Sequence, residues 1–302
     1  MSRRVRLDSE LVRRGLARSR EQASQLIEAG RVTVGGQTAR KPATQVETAS
    51  AIVVAASEEG PDYVSRGAHK LLGALEAFEG LSVEGRRCLD AGASTGGFTD
   101  VLLRHGAAHV LAVDVGYGQL AWSLRTDERV TVMERVNVRD LTPEMVGEPP
   151  TLIVGDLSFI SLRLVLPALA SVAAPRAEFV MLVKPQFEVG KDLVGAGGVV
   201  RDPELRAGAV RDAALKAIEL GLTVKGVTAS PLPGPSGNVE YLLWLGKGET
   251  EARDGGRGEA EGHNAGHGEG EGRSEGQGEG AGGRRVADLD AEILRAVAEG
   301  PQ

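Results

Sequence analysis

The 302-residue sequence contains one cysteine, Cys88, so it cannot form a disulfide bond within the chain. It also lacks any apolar run of the roughly 18 residues that a membrane-spanning helix requires. The nearest candidate, residues 162–174, is interrupted by Arg163 and Pro167. No secretory leader is recognised at the amino terminus. These absences predict a soluble protein of the reducing cytoplasm that has no membrane partner.

Large apolar residues are missing from residues 247–283, which contain no Val, Ile, Leu, Phe, Trp or Tyr. Such a segment buries too little apolar surface to offset the entropy lost on ordering, so residues 247–302 are predicted to be a disordered tail. Near its end, apolar side chains at helical spacing predict a short helix that is marginal unless it packs. They are Val286, Leu289, Ile293, Leu294 and Val297. Removal of the tail is therefore expected to leave stability nearly unchanged.

Positive charge is concentrated at the amino terminus of a chain whose net charge is −7. Residues 1–50 contain ten Lys or Arg against five acidic residues. The basic residues are Arg3, Arg4, Arg6, Arg13, Arg14, Arg18, Arg20, Arg31, Arg40 and Lys41. A basic module on an acidic chain is typical of nucleic-acid binding, so these ten side chains are the candidate RNA contacts.

The same module has the local pattern of two helices and a hairpin. Asp8 is placed to cap a first helix that runs to about Ala17, and Ser19 opens a second helix that stops at Gly30. Residues 31–38 then predict two strands around a Gly-Gly turn, and a returning strand follows.

The segments LVRRGLARSREQA and GRVTVGG resemble the S4-like RNA-binding domain over about residues 3–56. The resemblance implies that the helix pair and hairpin present Arg and Lys to structured RNA. Because phosphate neutralisation needs no base readout, the affinity should depend strongly on salt, and RNA shape should supply the specificity. A solvated basic face without a partner is the alternative.

The rest of the chain is organised around the segment CLDAGASTGGFT, residues 88–99. Apolar residues lead to Asp90, and Gly92, Gly96 and Gly97 follow, which predicts a strand, a tight turn and a helix. The spacing differs from the G-x-G-x-x-G of dinucleotide-binding folds, and no P-loop lysine follows. The pattern resembles the first motif of S-adenosylmethionine-dependent methyltransferases. An ordinary glycine turn is the alternative.

Polar residues follow the next two predicted strands. The apolar run HVLAV ends at Asp114, where a carboxylate can hold both ribose hydroxyls. Asn137 lies beyond a third strand and could read the adenine edge, although a turn or helix cap explains it nearly as well. The methyltransferase resemblance implies that S-adenosylmethionine contacts Asp90, Gly92, Ser94, Thr95, Gly96, Gly97, Phe98, Asp114, Asn137 and Asp156.

Two later predicted strands also end in charged residues, Asp156 after LIVG and Lys184 after FVMLV. In an open parallel sheet, ligands bind outside the carboxyl ends of the strands, so these side chains should face one crevice with Asp90 and Asp114. We therefore predict an α/β fold with a doubly wound, mostly parallel, seven-stranded sheet of Rossmann type. Any one of these side chains alone is equally explained as a solvated charge.

The motifs SRGAHK, DAGASTGGFT, DVGYGQLAW, DLSFISL, LVKPQFEVGK and SPLPGPSGNVEY resemble the TlyA or haemolysin-A family. The resemblance implies a small α+β S4-like domain (1–59), an FtsJ-like methyltransferase domain (60–246) and the tail (247–302). It implies methyl transfer from S-adenosylmethionine to ribose 2′-hydroxyls of ribosomal RNA, in 16S, 23S or both, with cytidine as the expected nucleotide. The family's Lys-Asp-Lys-Glu tetrad falls on Lys70, Asp156, Lys184 and Glu240.

The implied tetrad makes chemical sense, because a ribose hydroxyl needs a positioned base near neutral pH. A lysine can serve when burial or a nearby cation favours its neutral form, which assigns Lys184 as the base and Lys70 as the cation. Asp156 and Glu240 would position both lysines and the hydroxyl. His69 departs from the family pattern, in which an aromatic residue is expected beside the first tetrad lysine.

Two other functions remain open on the sequence alone. An RNA-binding assembly or regulatory protein would retain the fold and transfer nothing, and Lys70 would then be a plain surface lysine. A membrane-active haemolysin would need a lipid-seeking segment, which the sequence does not contain. His263 and His267 are better explained as spacers than as metal ligands, so no metal site is predicted. The oligomeric state is left open.

Overall fold

The computed structural model describes residues 4–17, 19–55, 63–248 and 286–300. The chain divides into two compact units, residues 1–62 and residues 63–302. Arg3 and Arg18, two of the predicted RNA contacts, lie outside the described residues, as does most of the predicted disordered tail.

The described residues of the amino-terminal unit form two helices and five short strands. The elements are β1 (Arg4–Arg6), α1 (Leu7–Arg13), α2 (Arg20–Glu28), β2 (Val32–Val34), β3 (Gln37–Thr38), β4 (Gln45–Glu47) and β5 (Ile52–Val54). Strands β1 and β4 pair antiparallel, and β3, β2 and β5 form an antiparallel sheet in that order. Apolar residues from both helices and from β2 and β4 form one small core.

The predicted local signals of this unit are mostly confirmed. Ser19 Oγ accepts a hydrogen bond from the Gln22 amide at 3.1 Å and so caps α2. The hairpin turns through two glycines with positive φ, which the predicted Gly-Gly turn requires. Helix α1 ends at Arg13 rather than near Ala17, because Gly15 adopts the left-handed conformation (φ +70°).

The second unit is built on a seven-stranded sheet. Its order is β11-β12-β10-β9-β6-β7-β8, and β12 alone runs against the other six strands. The strands are β6 (Arg87–Ala91), β7 (His109–Asp114), β8 (Val130–Glu134), β9 (Leu152–Gly155), β10 (Ala177–Val183), β11 (Thr223–Ala229) and β12 (Tyr241–Lys247). The predicted doubly wound, mostly parallel sheet is confirmed.

Helices cover both faces of this sheet. They are α3 (Ala68–Ala77), α4 (Gly97–Arg104), α5 (Trp122–Arg125), α6 (Pro143–Val146), α7 (Leu162–Val172), α8 (Pro185–Glu188), α9 (Pro203–Glu219) and α10 (Val286–Glu299). Side chains alternate along each strand, so Phe179 and Met181 join the core under α7, α9 and α10, whereas Val180 and Leu182 join the core under α3 and α4. The carboxyl ends of the parallel strands therefore meet at one edge between two helix layers.

Helix α10 packs against the core of this unit. Its apolar stripe buries Leu289, Ile293 and Val297 in the core that α7 and α9 share. The Glu292 carboxylate accepts a hydrogen bond at 3.1 Å from the Val227 amide of β11, which is an edge strand. Packing thus supplies the stability that a short isolated helix lacks.

The expectation that the tail contributes nothing to the fold is therefore wrong for residues 286–300. An ion pair at 2.7 Å between Arg211 of α9 and Asp290 of α10 adds to the apolar contacts. The predicted disorder of residues 249–285, with His263 and His267, lies outside the described residues.

Candidate active site

The turn after β6 requires glycine at two positions. Gly92 has φ +86°, and a Cβ there would lie 2.9 Å from the main-chain oxygen of Asp156. Gly96 has φ +101°, and a Cβ there would collide with the side chains of Leu124 and Leu120. Both conformations are strained for any other residue. The predicted strand, tight turn and helix are present because only glycine allows this close approach.

Asp114 is tied to the same turn. Its two carboxylate oxygens accept hydrogen bonds from the main-chain amides of Ser94 at 2.8 Å and Gly116 at 2.6 Å. Each oxygen keeps a second lone pair, so the carboxylate can still accept from a ligand hydroxyl. The Asp114 carboxylate at the end of β7 is therefore a fixed, partly exposed hydrogen-bond acceptor beside the glycine turn.

The four residues of the implied tetrad lie in one connected group, although they come from four separate elements. Nζ of Lys184 lies 2.6 Å from Oδ1 of Asp156, and Nζ of Lys70 lies 3.9 Å from Oδ2 of the same carboxylate. Nζ of Lys70 also donates a hydrogen bond of 2.5 Å to Oε2 of Glu240. The order of contacts is therefore Glu240, Lys70, Asp156, Lys184.

This group is largely withdrawn from water. Lys70 and Lys184 are each 7% exposed and Glu240 is 1% exposed. Two ammonium and two carboxylate groups balance in charge, which is the condition under which buried charges are tolerated. Lys70 is thus not a plain surface lysine. A Cβ at Gly234 would collide with the Glu240 carboxylate, so the loop before β12 leaves room for that side chain.

Two adjoining cavities open at this edge of the sheet. The larger, of about 570 Å³, is lined by Asp114, Asn137 and apolar side chains including Val138 and Leu157. The smaller, of about 330 Å³, is lined by three tetrad members, namely Lys70, Asp156 and Lys184. Gly92 and Ser158 line both cavities. Volumes of this size suit small ligands.

Most of the predicted cofactor contacts lie on these walls. Ser94, Thr95, Gly97 and Phe98 line the smaller cavity beside Asp156. Asn137 lines the larger cavity, and its side chain accepts a hydrogen bond from the Arg139 amide, which is the helix-cap role. Its contact with the adenine edge stays a prediction.

Asp90 and Gly96 are exceptions, since neither is among the residues that line the two cavities. The Asp90 carboxylate is fully buried, and its Oδ2 accepts a hydrogen bond of 2.7 Å from Thr99 of α4. Burial raises the pKa of Asp90 to about 7, and the charge of Asp156 adds to this effect. The structure therefore places Asp90 beneath the turn and not on a cavity wall, and its contact with a cofactor stays a prediction.

The sequence interpretation missed several residues of the DLSFISL segment. Phe159 is 91% exposed with φ +64°, and its ring packs 5.3 Å from that of Phe187 at the larger cavity. Ser158 accepts a hydrogen bond of 2.9 Å from Nζ of Lys184. Both lie within three residues after Asp156, so their position near a predicted site residue was the available signal. His69, the departure from the family pattern, packs edge-on against Tyr63.

The glycine-rich loop after α8 borders the larger cavity. Gly190 and Lys191 line its wall. At the far end of the loop, the buried Asn238 side chain accepts a hydrogen bond from the Val200 amide and donates one to the Gly198 carbonyl. These two hydrogen bonds attach the end of the loop to the segment that contains Glu240.

In the amino-terminal unit, Asp8 holds two of the predicted RNA-binding arginines. Its carboxylate lies 2.8 Å from Arg6 and 2.9 Å from Arg20, and it is buried within α1. The hydrogen bond from Arg6 holds the pKa of Asp8 well below its usual range. The predicted helix cap by Asp8 is wrong, because Arg6 is the capping position and the carboxylate pairs with the guanidinium groups instead.

Glu10 holds a second pair of arginines. Arg13 and Arg14 lie 2.6 Å and 2.7 Å from its buried carboxylate, and the hydrogen bond from Arg13 is the main cause of its lowered pKa. Arg14 also donates to the carbonyls of Thr48 and Ser50. These arginines therefore contribute to the fold of the unit as well as to its charge.

The remaining predicted RNA contacts differ in their surroundings. Arg31 donates to the Ala55 carbonyl. Arg4, Arg40 and Lys41 are exposed. Exposed cations outside ion pairs with carboxylates can neutralise phosphate groups more readily than cations held in such pairs.

Within the described ranges, no helix is long and apolar enough to cross a membrane. The same residues contain no group of three or more His, Cys, Asp or Glu side chains arranged to hold a metal ion.

The chain matches two family models. The FtsJ-like methyltransferase model matches residues 63–247, and the S4 domain model matches residues 5–52. The 16S/23S rRNA (cytidine-2′-O)-methyltransferase TlyA of Mycobacterium tuberculosis is 65% identical over 245 residues, which is 81% of this chain and 91% of that protein. Hemolysin A of Brachyspira hyodysenteriae is 41% identical over 79% of this chain and 98% of its own length.

A solved structure agrees with these matches. A candidate hemolysin from Streptococcus thermophilus superposes with a TM-score of 0.64 at 40% identity, over 84% of this chain and 92% of that one. Identity at this level across both units exceeds what a shared fold alone produces. The chain belongs to the TlyA family of FtsJ-like methyltransferases that carry an amino-terminal S4 domain.

Proposed function

We propose that the chain transfers a methyl group from S-adenosylmethionine to ribose 2′-hydroxyls of cytidine in 16S or 23S ribosomal RNA. The observation that carries the proposal is the connected group of Glu240, Lys70, Asp156 and Lys184, three of which line the smaller cavity. The Mycobacterium tuberculosis relative is a 16S/23S rRNA (cytidine-2′-O)-methyltransferase, which supports the same reaction. An enzyme that acts on ribosomal RNA works where ribosomes are made, so we infer a cytoplasmic location.

The residues present fit S-adenosylmethionine. The Asp114 carboxylate can accept from the ribose hydroxyls, and the apolar wall that includes Val138 and Leu157 suits the adenine ring. The close approach of Gly92 keeps the turn free of side chains where the two cavities meet. When bound, S-adenosylmethionine supplies an electrophilic methyl group.

The four residues of the tetrad then activate the ribose 2′-hydroxyl as the nucleophile. A ribose hydroxyl attacks only as its proton is removed, and the neutral amine of Lys184 is the group that we assign as base. Asp156 holds Nζ of Lys184 on one side and faces Lys70 on the other. Glu240 fixes Lys70 through its 2.5 Å hydrogen bond. Lys70 contacts both Asp156 and Glu240 and so links the two carboxylates of the group.

RNA is the proposed substrate for two reasons. The S4 domain carries exposed cations, among them Arg40 and Lys41, that can neutralise phosphates. In the methyltransferase unit, the exposed ring of Phe159 offers a stacking surface for an unpaired base beside the larger cavity.

Mapping of the product tests the reaction. The protein is incubated with labelled S-adenosylmethionine and unmodified ribosomal subunits, and the RNA is then probed for positions that resist alkaline cleavage. Label that coincides with resistance identifies a ribose 2′-oxygen. Binding without any transfer would support the alternative of an RNA-binding assembly protein, and label that leaves alkaline cleavage unchanged would assign a base as the acceptor.

The base is tested at Lys184. Lys184→Ala should abolish transfer, and Lys184→Arg should be nearly as damaging because a guanidinium does not lose its proton under these conditions. Both variants should keep their affinity for S-adenosylmethionine, measured by calorimetry, because Asp114 and the glycine turn are untouched. An active Lys184→Arg enzyme with an unchanged pH profile would assign the base to another group.

A further inference from the structure

Ser158 stands where the two cavities meet. Together with Gly92 it lines both of them, and its side chain is exposed. Its hydroxyl oxygen accepts a hydrogen bond of 2.9 Å from Nζ of Lys184. Strand β9 ends at Gly155, opposite Met181 of β10, and Ser158 and Lys184 each lie three residues beyond that pair. The loop after β9 therefore brings the Ser158 hydroxyl to the amino group of Lys184.

The two contacts of Nζ of Lys184 differ in kind. Oδ1 of Asp156 lies 2.6 Å away as an ion pair, and Coulomb attraction depends on distance and not on angle. The contact with Ser158 is a hydrogen bond, which weakens steeply when it is bent. The hydrogen bond to Ser158 therefore restricts rotation of the amino group about the Cε–Nζ bond.

This restriction matters because of the shape of a neutral amine, which carries two N–H donors and one lone pair. When one N–H points to Ser158 and the other faces Asp156, tetrahedral geometry directs the lone pair away from both. Without the Ser158 hydroxyl, the amino group could turn and present an N–H where the lone pair is needed. A base whose lone pair is misdirected removes a proton slowly, although its charge is unchanged.

We propose that Ser158 is a positioning residue that orients the lone pair of Lys184 toward the ribose hydroxyl. The proposal rests on the proposed function. In the step that it serves, the hydroxyl proton moves to Nζ of Lys184 and an O–C bond forms to the methyl carbon. The C–S bond of the sulfonium breaks, and its electron pair stays on sulfur.

Replacement of the hydroxyl tests this role in the full chain. Ser158→Ala should lower the single-turnover rate of methyl transfer by about ten-fold to a hundred-fold, as expected for a misaligned catalytic group. The KM for ribosomal subunits and the affinity for S-adenosylmethionine should change by less than about two-fold, because an interaction lost only in the chemical step lowers kcat. Ser158→Thr keeps a hydroxyl on the same carbon and should restore most of the rate.

A second readout needs neither cofactor nor RNA. Nitrogen-15 relaxation of the lysine side chains, with the Lys184 signal assigned through Lys184→Arg, reports rotation of the ammonium group about Cε–Nζ. Loss of one hydrogen bond should speed that rotation about five-fold in Ser158→Ala. Ser158→Thr should rotate at nearly the wild-type rate.

These outcomes separate the proposal from the reaction on which it rests. Faster rotation together with slower transfer supports the positioning role. Unchanged transfer in Ser158→Ala overturns it, whether or not the rotation changes. If the wild-type protein transfers no methyl group, or if Lys184→Ala remains active, the proposed function fails first, and the assignment of Ser158 falls with it.

Discussion

The docking of helix α10 gives the strongest test of the fold, because the sequence predicts a helix that is only marginal unless it packs. Ile293 is fully buried in the core shared with α7 and α9, whereas its neighbour Leu294 is 56% exposed on the same helix. Truncating a buried Ile to Ala typically costs about 2–5 kcal/mol, from lost transfer free energy and the cavity that remains. An exposed Leu to Ala change typically stays within about 0.5 kcal/mol.

These values convert into a thermal shift. In a unit of this size, 1 kcal/mol lowers Tm by about 2–4 °C. Ile293→Ala should therefore lower the Tm of the full chain by about 5–15 °C in scanning calorimetry, whereas Leu294→Ala should lower it by no more than about 2 °C. Equal shifts for the two variants would mean that α10 does not pack on the sheet in solution, and that the tail is dispensable as its composition predicts.

Two further predictions concern charges. Burial raises the pKa of Asp90 to about 7, well above the value near 4 of an unfolded chain, so the folded state binds more protons between these values and stability should fall as pH rises from about 4 to 7. Asp90→Asn, which can still accept from Thr99, should flatten that slope in urea unfolding, and an equal slope in both proteins would contradict the burial. In the S4 domain, Lys41→Ala should reduce the salt slope of RNA binding by about one in filter-binding assays. Arg14→Ala should chiefly lower thermal stability, because Arg14 ties Glu10 to the loop carbonyls, and the reverse pattern would refute this division.

Much of the site could be predicted because it depends on strand ends. Apolar runs that stop at a charged residue gave Asp114, Asp156 and Lys184, and the geometry of a parallel sheet brings such residues to one edge. Lys70 and Glu240 have no such local signal. Lys70 lies on α3 and Glu240 precedes the antiparallel strand β12, 170 positions away. Only the family resemblance paired them in advance.

The errors arose where a local signal was outweighed by a distant contact. Asp8 has the residue type of a helix cap but lies inside α1, where its carboxylate accepts from the Ser9 amide and pairs with Arg6 and Arg20. The composition of the tail predicts a weak isolated helix. It does not reveal that β11 leaves an edge amide, Val227, and an apolar groove for α10 to cover.

Register explains why the Asp90 side chain lies deeper than those of Asp114 and Asp156. Ala91 of β6 pairs with Val113 and with Gly155, so the next residues, Asp114 and Asp156, are level with Gly92 at the ends of the strands. Asp90 instead pairs with Ala112 and Val154, two residues before those carboxylates. Two residues of a strand span about 6–7 Å, enough to move a carboxylate from the cavity wall into the core beneath α4. A sequence shows that a strand ends near an acidic residue. How deeply the acidic side chain is buried depends on which residues of distant strands pair with it, and the local sequence pattern does not contain that information.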